Sequence, residues 1–341
     1  MRLAAWVRTT LAWGFAAGCA LWMAEQGWSA EGTPSPPPRE LMAQIVNIDR
    51  EDFKAKGRIT LHRLQPLAGQ LVLTEAKGDP EWIFKTIAPW NPGLAGFLRD
   101  LKIRELTLAD ADLLLDGPKT QLEVAQAAIP EGRIQQVAYQ QESGGGWRVT
   151  TAAMRLDRLP QGLSSLLMPL SGGVGVERLQ AEGDREQGQG MASGVFGPGW
   201  RVARLEGAGA VTGRDGRGRP VTGQFSWNGV DAVLSGLQQA VRQVPQLADL
   251  LRFAGQDPKS TEPVALSKVT TRVESDGQGR FVLRTVQVDA PWVRLSGEGT
   301  LQMRRADQGE PMLRLNLLAK NRQGQERRFK IHIPISAWGA S

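Results

Sequence analysis

Cysteine and histidine are nearly absent from this sequence of 341 residues. It contains one cysteine, Cys19, and two histidines, His62 and His332. Thiol catalysis and cysteine-based metal sites need side chains that the chain lacks, because Cys19 lies in an N-terminal apolar segment. A lone cysteine also leaves no disulfide framework. Both histidines occupy polar positions of predicted strands, so we expect exposed side chains rather than a catalytic or metal-binding pair.

Other chemical motifs are equally sparse. Asp110, Asp112 and Asp116 are predicted to share one strand face, which would suit Ca²⁺, but no ion-binding loop surrounds them. The Gly-x-Gly sequences at 207–209 and 297–299 fall within strands rather than at a strand-to-helix turn. They predict bends or close backbone approach instead of a phosphate loop. We therefore predict that the protein is not an enzyme and has no catalytic residue, metal or cofactor.

Aromatic residues are scarce, at 6% with a single tyrosine, whereas 40 glycines and 20 prolines indicate many turns and few helices. The net charge is +6, and the sequence pI is near 9.8. Lysine and arginine are scattered singly along predicted strands and turns, without aromatic side chains between them. Nucleic-acid binding is therefore not predicted. Attraction to an anionic membrane surface is compatible with this charge.

The pattern of residues 1–30 predicts a targeting segment. Arg2 and Arg8 precede Thr9–Ala24, an uncharged run of 16 residues. As a helix this run would span about 24 Å, against the ~30 Å of a bilayer core. A secretory signal peptide ending at Ala30 and an uncleaved membrane anchor with cytoplasmic arginines both fit the pattern. Lipidation at Cys19 is a third alternative. All three predict export.

A proline-rich linker and a short helix are predicted over residues 31–56. Residues 57–341 are predicted to form a curved β-sheet domain, with two similar halves at 57–170 and 171–341. Three further helices are predicted to cover the sheet: Asp79–Ile87, Leu159–Leu170 and Val230–Phe253. Pro245 should kink the last of them.

Residues 281–335 carry the clearest strand pattern, because apolar and polar side chains alternate in successive runs separated by polar turns. Such a meander has one apolar face. We predict that lipid or a hydrophobic partner binds there through seven side chains: Val293, Leu295, Leu301, Leu313, Leu315, Ile331 and Ile333. Strands of roughly seven to eleven residues would make this face about 25–35 Å long. The pattern leaves two alternatives open, the wall of an open groove or a core closed by the helices.

A second pattern recurs along the chain, with apolar residues at positions i, i+3 and i+5. It begins at Ile103, Ile134, Val176, Val202 and Leu283. A step of three inside a period of two predicts one extra residue, which is a β-bulge that bends the strand. Repeated bulges would roll the sheet. The predicted fold is mainly β, a long curved antiparallel sheet that forms a groove or open barrel, with a few covering helices.

Two stretches carry a family resemblance. Leu101–Leu115, and Trp292–Leu301 with its apolar-x-Gly-x-Gly-x-Leu ending, resemble the AsmA-like proteins of Gram-negative bacteria. They are similar in the same way to the general secretion pathway N protein. The resemblance covers Leu101–Met303. It implies a tether at the inner membrane, curved sheets in the periplasm, and an apolar groove that serves phospholipid movement toward the outer membrane.

The resemblance and the targeting segment together predict a periplasmic, membrane-tethered protein. It would bind lipid or a hydrophobic partner in outer-membrane assembly or lipid transport. The alternative is a structural accessory subunit of a protein secretion system, docked to an envelope protein complex. The expected partners are membrane lipid or such a complex, and the inner membrane through the N-terminus.

Overall fold

The computed structural model of the chain describes most residues between Met42 and Pro334. The described residues are 42–49, 51, 53–64, 67–79, 81, 105–116, 119–157, 173–184, 186–197, 199–214, 220–235, 241–242, 244–275, 280–302 and 312–334. The apolar run of the targeting segment and the predicted helix Leu159–Leu170 lie outside them. Within the described residues, no helix is both long enough and apolar enough to cross a bilayer.

Eighteen β-strands and one α-helix of eight residues are described, and residues 81, 241 and 242 are also helical. The first ten strands are β1 (Met42–Asp49), β2 (Phe53–Leu64), β3 (Leu67–Gly78), β4 (Leu106–Asp116), β5 (Lys119–Ile129), β6 (Gly132–Gln141), β7 (Trp147–Thr151), β8 (Ala153–Leu156), β9 (Val174–Val176) and β10 (Arg178–Gly183). The others are β11 (Gln187–Gly197), β12 (Trp200–Arg214), β13 (Pro220–Leu234), α1 (Gln246–Phe253), β14 (Val264–Ser275), β15 (Arg280–Ala290), β16 (Val293–Gln302), β17 (Met312–Asn321) and β18 (Glu326–Pro334). The prediction of a mainly β, antiparallel fold is confirmed.

The described residues divide into two units. The N-terminal unit comprises 42–157 and 175–190, and the C-terminal unit comprises 173–174 and 191–334, with the gaps given above. In the N-terminal unit, β1 to β6 pair in chain order, β6 pairs with β7 and β8, and β7 pairs with β10. In the C-terminal unit, β12 to β18 pair in chain order. Each of these pairings is antiparallel, as chain-order meanders require.

The predicted step of three produces a true bulge at the start of the C-terminal meander. Leu283 pairs with Gly299 and Val286 with Gly297, so β15 carries one more residue than β16 between these pairs. The β-bulge predicted there is confirmed. The extra residue leaves the Thr285 carbonyl out of the regular ladder, and the buried Thr271 hydroxyl donates to it at 2.7 Å. This bond satisfies a backbone group that would otherwise be costly to bury.

Elsewhere the same step of three has a different cause. In the N-terminal unit, apolar residues lie three positions apart on four neighbouring strands, and they face one another across the strands. The pairs are Leu73/Ala76, Leu108/Ala111, Val124/Ala127 and Ile134/Val137. Each pair of strands carries equal numbers of residues across the shift, so the one-residue bulge predicted at Ile134 is wrong. Two residues with left-handed backbone, Asp110 at φ 50° and Gln136 at φ 50°, change which face the following side chains occupy.

The C-terminal unit repeats this arrangement. Val202, Ala232 and Leu266 form one cross-strand row on β12 to β14, and Leu205, Gly229 and Val269 form the next apolar row. Asp231, with φ 53°, lies between the rows. The bulge predicted at Val202 is therefore also a shift shared by paired strands. At Val176 the strand is interrupted instead, since β9 ends there and β10 begins at Arg178. Ile103 lies outside the described residues.

One helix prediction is wrong, and a second is wrong over its first five residues. Residues 42–49 form β1 rather than a short helix, because Val46 and Ile48 turn toward the apolar face while their neighbours are exposed. Val230–Leu234 continues β13, where it pairs with both β12 and β14. Residues 241–242 are helical, Val244 and Pro245 interrupt the helical structure, and helix α1 begins at Gln246. Pro245 is the N-cap of α1 with φ −55°, so the interruption lies where Pro245 was predicted to kink the helix.

The helix predicted from Asp79 to Ile87 lies almost wholly outside the described residues. At its start, the backbone N–H of Glu81 donates to Asp79 Oδ1 at 2.8 Å. This is the side-chain contact expected of an N-cap aspartate.

Candidate functional site

The seven residues predicted to bind lipid lie on one face of β16 to β18, which we call the C-terminal apolar face. Cross-strand pairing places Leu301 opposite Leu313 and Leu313 opposite Ile333. Leu315 lies opposite Ile331 in the neighbouring row. The alternation of β17 is regular, with buried and exposed side chains at successive positions from Leu313 onward. Val293 and Leu295 extend the same face along β16.

All seven side chains are buried, with exposed fractions between 0% and 7%. Leu313 and Ile331 have no exposed surface, and Leu315 is 2% exposed. A groove wall would present part of each side chain to a ligand, whereas core side chains are enclosed by protein atoms. The burial favours the closed-core alternative for this face. Its lipid-binding role stays a prediction.

Helix α1 covers one end of the C-terminal apolar face. The rings of Phe253 and Phe329 lie 5.6 Å apart with a tilt of 58°, a favourable aromatic geometry. The side-chain amide of Asn321, the last residue of β17, donates to the Phe253 carbonyl at 3.3 Å. Leu247, Leu250 and Leu251 bury the apolar side of this short helix. These contacts hold the helix against the sheet although its eight residues would be marginal alone.

The N-terminal unit has an apolar face of a different character, which we call the N-terminal apolar face. Its buried residues are mostly small: Ala55, Leu73, Ala76, Ala111 and Val124. Aliphatic side chains that are only partly buried pack against them: Val46, Ile48, Leu71, Leu106, Leu108, Leu122, Ala127 and Val137. Ala55 pairs with Ala76, so two adjacent strands present only methyl groups there. The buried residues are therefore flanked by aliphatic side chains that stay partly accessible.

A small buried cluster that includes a tyrosine hydroxyl lies beside this face. Tyr139, Trp147 and Ala181 are buried together on β6, β7 and β10. The Tyr139 hydroxyl donates to Gln141 Oε1 at 2.9 Å, and burial raises the pKa of Tyr139 to about 12. Because the pKa is raised, the phenol stays neutral at physiological pH and is a poor base. Folding stability from this neutral phenol is present below pH 10 and declines toward pH 12.

The sequence candidates for metal binding or catalysis are not brought together. Asp112 accepts two hydrogen bonds from Gln70 Nε2, at 2.8 and 2.9 Å, while Asp116 pairs with Arg63 at 2.8 Å. In the part of the chain that the structure describes, no three metal-ligating side chains cluster. The two histidines lie on different strands. His332 is exposed on β18, whereas His62 on β2 is half-buried with an enclosed Nδ1 atom, so its predicted exposure is wrong. The absence of enzymatic activity stays a prediction.

Two buried tryptophans were not singled out from the sequence. Trp200 and Trp227 are 4% and 5% exposed, and their indole N–H groups find no acceptor among the described residues. A buried donor left without an acceptor costs about 1–3 kcal/mol. Only their apolar spacing within strands marks these residues in the sequence. The N-terminal apolar face was missed for a different reason, because 42–49 was predicted as a helix.

Comparisons with protein family models, curated proteins and solved structures gave no match to this chain.

Proposed function

We propose that the chain is an exported protein, held at the inner membrane by its N-terminal segment, that binds lipid acyl chains on the N-terminal apolar face. This binding would serve outer-membrane assembly or lipid transport. The observation that supports the proposal is the set of partly exposed aliphatic side chains packed against the buried cluster of Ala55, Leu73, Ala76, Ala111 and Val124. Apolar side chains that stay partly accessible over several adjacent strands are typical of a binding surface.

The chemistry of the face suits acyl chains. Each methylene removed from water contributes about 0.8 kcal/mol, without any requirement for a directed hydrogen bond. The residues of this face run from Leu71 to Ala76 on β3 and from Leu122 to Ala127 on β5, which is about 17 Å along each strand. The C-terminal apolar face is a weaker candidate, because its side chains are already enclosed. The proposed binding surface therefore differs from the seven-residue surface predicted from sequence.

Photocrosslinking tests where lipid binds. A photoreactive amino acid at Leu122, on the N-terminal apolar face, should capture phospholipid in living cells. The adjacent Glu123 projects from the opposite, exposed face of β5 and is the matched control. A lipid adduct at 122 and none at 123 would support the proposal. Equal capture at both positions, or no lipid at 122 in a folded and exported protein, would contradict it.

Export is tested separately with a reporter enzyme that is active only in the periplasm. Fused after Ser35, it should be active. Activity should be lost when Leu11, Ala17 and Leu21 are replaced by Asp, since each charge costs roughly 2.5–3.5 kcal/mol at the middle of an inserting helix. Replacing the same three residues with valine should preserve activity. An inactive reporter, in a fusion protein that accumulates to a normal level, would remove the envelope function.

A protein partner is the second candidate, in the role of a structural accessory subunit of a secretion system. Ile45 is 79% exposed on β1, opposite in direction to the buried side of that strand. A single exposed aliphatic side chain is normal on a protein surface, so Ile45 marks a docking position only if a partner is found there. Capture of a single envelope protein in place of lipid at Leu122 would favour this function.

A further inference from the structure

The positive charge of the chain is concentrated in its last hairpin. Residues 312–334, which comprise β17, the turn and β18, contain six cationic side chains and one anionic side chain, Glu326. The hairpin therefore carries +5 of the net charge of +6, and the rest of the chain together carries +1. Charge placed this unevenly gives one surface a strong local potential.

Three of these cations share the exposed side of the hairpin, opposite the C-terminal apolar face. Arg314 lies opposite His332, Lys330 lies opposite Asn316, and Arg328 lies opposite Leu318. All of these side chains are exposed. Neighbouring strands are about 4.8 Å apart and alternate residues about 7 Å apart. We call the surface formed by Arg314, Arg328 and Lys330 the basic face.

The charges of the basic face are not neutralised by neighbouring carboxylates. Nearby cations do form ion pairs, such as Arg294 with Asp289 at 2.9 Å and Lys320 with Glu326 at 3.3 Å. Among the described residues, by contrast, none forms an ion pair with Arg314, Arg328 or Lys330. Glu298 is the acidic side chain in the row of Lys330, and Asn316 on the intervening strand separates the two.

An exposed leucine lies among these cations. Leu318 is 37% exposed and is paired across the strands with Arg328. An aliphatic side chain within a flat, cationic surface matches a bilayer, whose anionic headgroups lie directly above hydrocarbon. A single-stranded nucleic acid would instead need aromatic stacking platforms, and the exposed side of β17 and β18 has no phenylalanine, tyrosine or tryptophan.

We propose that the basic face docks on the surface of a bilayer containing anionic phospholipid, with Leu318 at the headgroup boundary. This contact involves headgroups, is separate from the acyl-chain site, and does not depend on that site being correct. It adds a C-terminal membrane contact to the one proposed for the N-terminal segment.

Lipid quenching of a fluorescent side chain tests this docking in the full chain. A genetically encoded fluorescent amino acid replaces Asn316, and the protein is reconstituted in vesicles that carry nitroxide-labelled lipid. We expect quenching with 30% phosphatidylglycerol, and little quenching with phosphatidylcholine alone or in 0.5 M salt, where surface charges are screened. Quenching that is equal in the two kinds of vesicle, or absent from both, would overturn the proposal.

Charge variants provide the matched control. Each cation near an anionic membrane strengthens binding about fivefold, so Arg314→Gln, Arg328→Gln and Lys330→Gln together should weaken docking on the order of a hundredfold. A control removes three exposed cations elsewhere by Lys54→Gln, Arg155→Gln and Lys259→Gln, with the same loss of net charge. Equal weakening by both triple variants would show that net charge alone is responsible, which contradicts a localised face. Lipid capture at Leu122 should be unchanged in the first variant.

Discussion

Replacing Leu315 by serine should lower the free energy of unfolding by about 3–5 kcal/mol. Leu315 is 2% exposed, and its Cδ2 atom lies over Gly299 on the neighbouring strand, where no side chain fills the space. Truncation would leave a cavity that β16 and β18 cannot close, because both are fixed by their ladders. The serine hydroxyl would also be buried among aliphatic side chains. Urea unfolding followed by circular dichroism measures the loss.

Leu122→Ser is the matched comparison, since the same change is made on the partly exposed N-terminal apolar face. We expect a cost below about 1.5 kcal/mol there, because less apolar area returns to water. A small cost for Leu315→Ser, similar to that of Leu122→Ser, would mean that the C-terminal apolar face is accessible. The seven-residue surface would then be the better candidate for lipid.

The sequence predicted the arrangement of the last three strands because its period is unambiguous there. From Leu313 to Lys320, buried and exposed residues alternate without interruption. A period of two specifies which side chains share a face. It does not specify what covers that face, so an open groove and a closed core were equally compatible with the pattern. The covering contact between Phe253 and Phe329 joins residues far apart in the chain and has no local signal.

The errors near Val46 and Val230 arise from short apolar spacings that suit both a helix and a strand. Val230, Val233 and Leu234 have helical spacing, yet the chain continues as β13 because partners on both sides complete its ladder. Tertiary pairing overrides local preference in such segments. The step-of-three pattern was a true signal of irregularity. Whether the irregularity is a bulge depends on the partner strand, because no extra residue is needed when both strands change their apolar face at the same row.

Replacing Gly297 by alanine should be more damaging than its size suggests. A Cβ atom at this position would overlap the carbonyl oxygen of Asn316 and come within 3.0 Å of the Leu317 Cα atom. Both are backbone atoms of β17, which is held on its other side by β18. The clash cannot be relieved by rotating a side chain, so strands must separate and ladder hydrogen bonds must lengthen. We expect a loss of about 3 kcal/mol or more, or failure to accumulate as folded protein.

Gly144→Ala is the control, because a Cβ atom there meets nothing within 4 Å. Replacing glycine by alanine at an unstrained position stabilises proteins by about 0.4–1 kcal/mol, since it restricts the unfolded chain. The two variants should therefore shift the urea midpoint in opposite directions. If Gly297→Ala were tolerated as well as Gly144→Ala, β16 and β17 would have to lie further apart than the structure places them. Close approach of the two strands would then no longer explain the Gly-x-Gly motif. In the structure its second glycine, Gly299, is also in close contact with the backbone of β17.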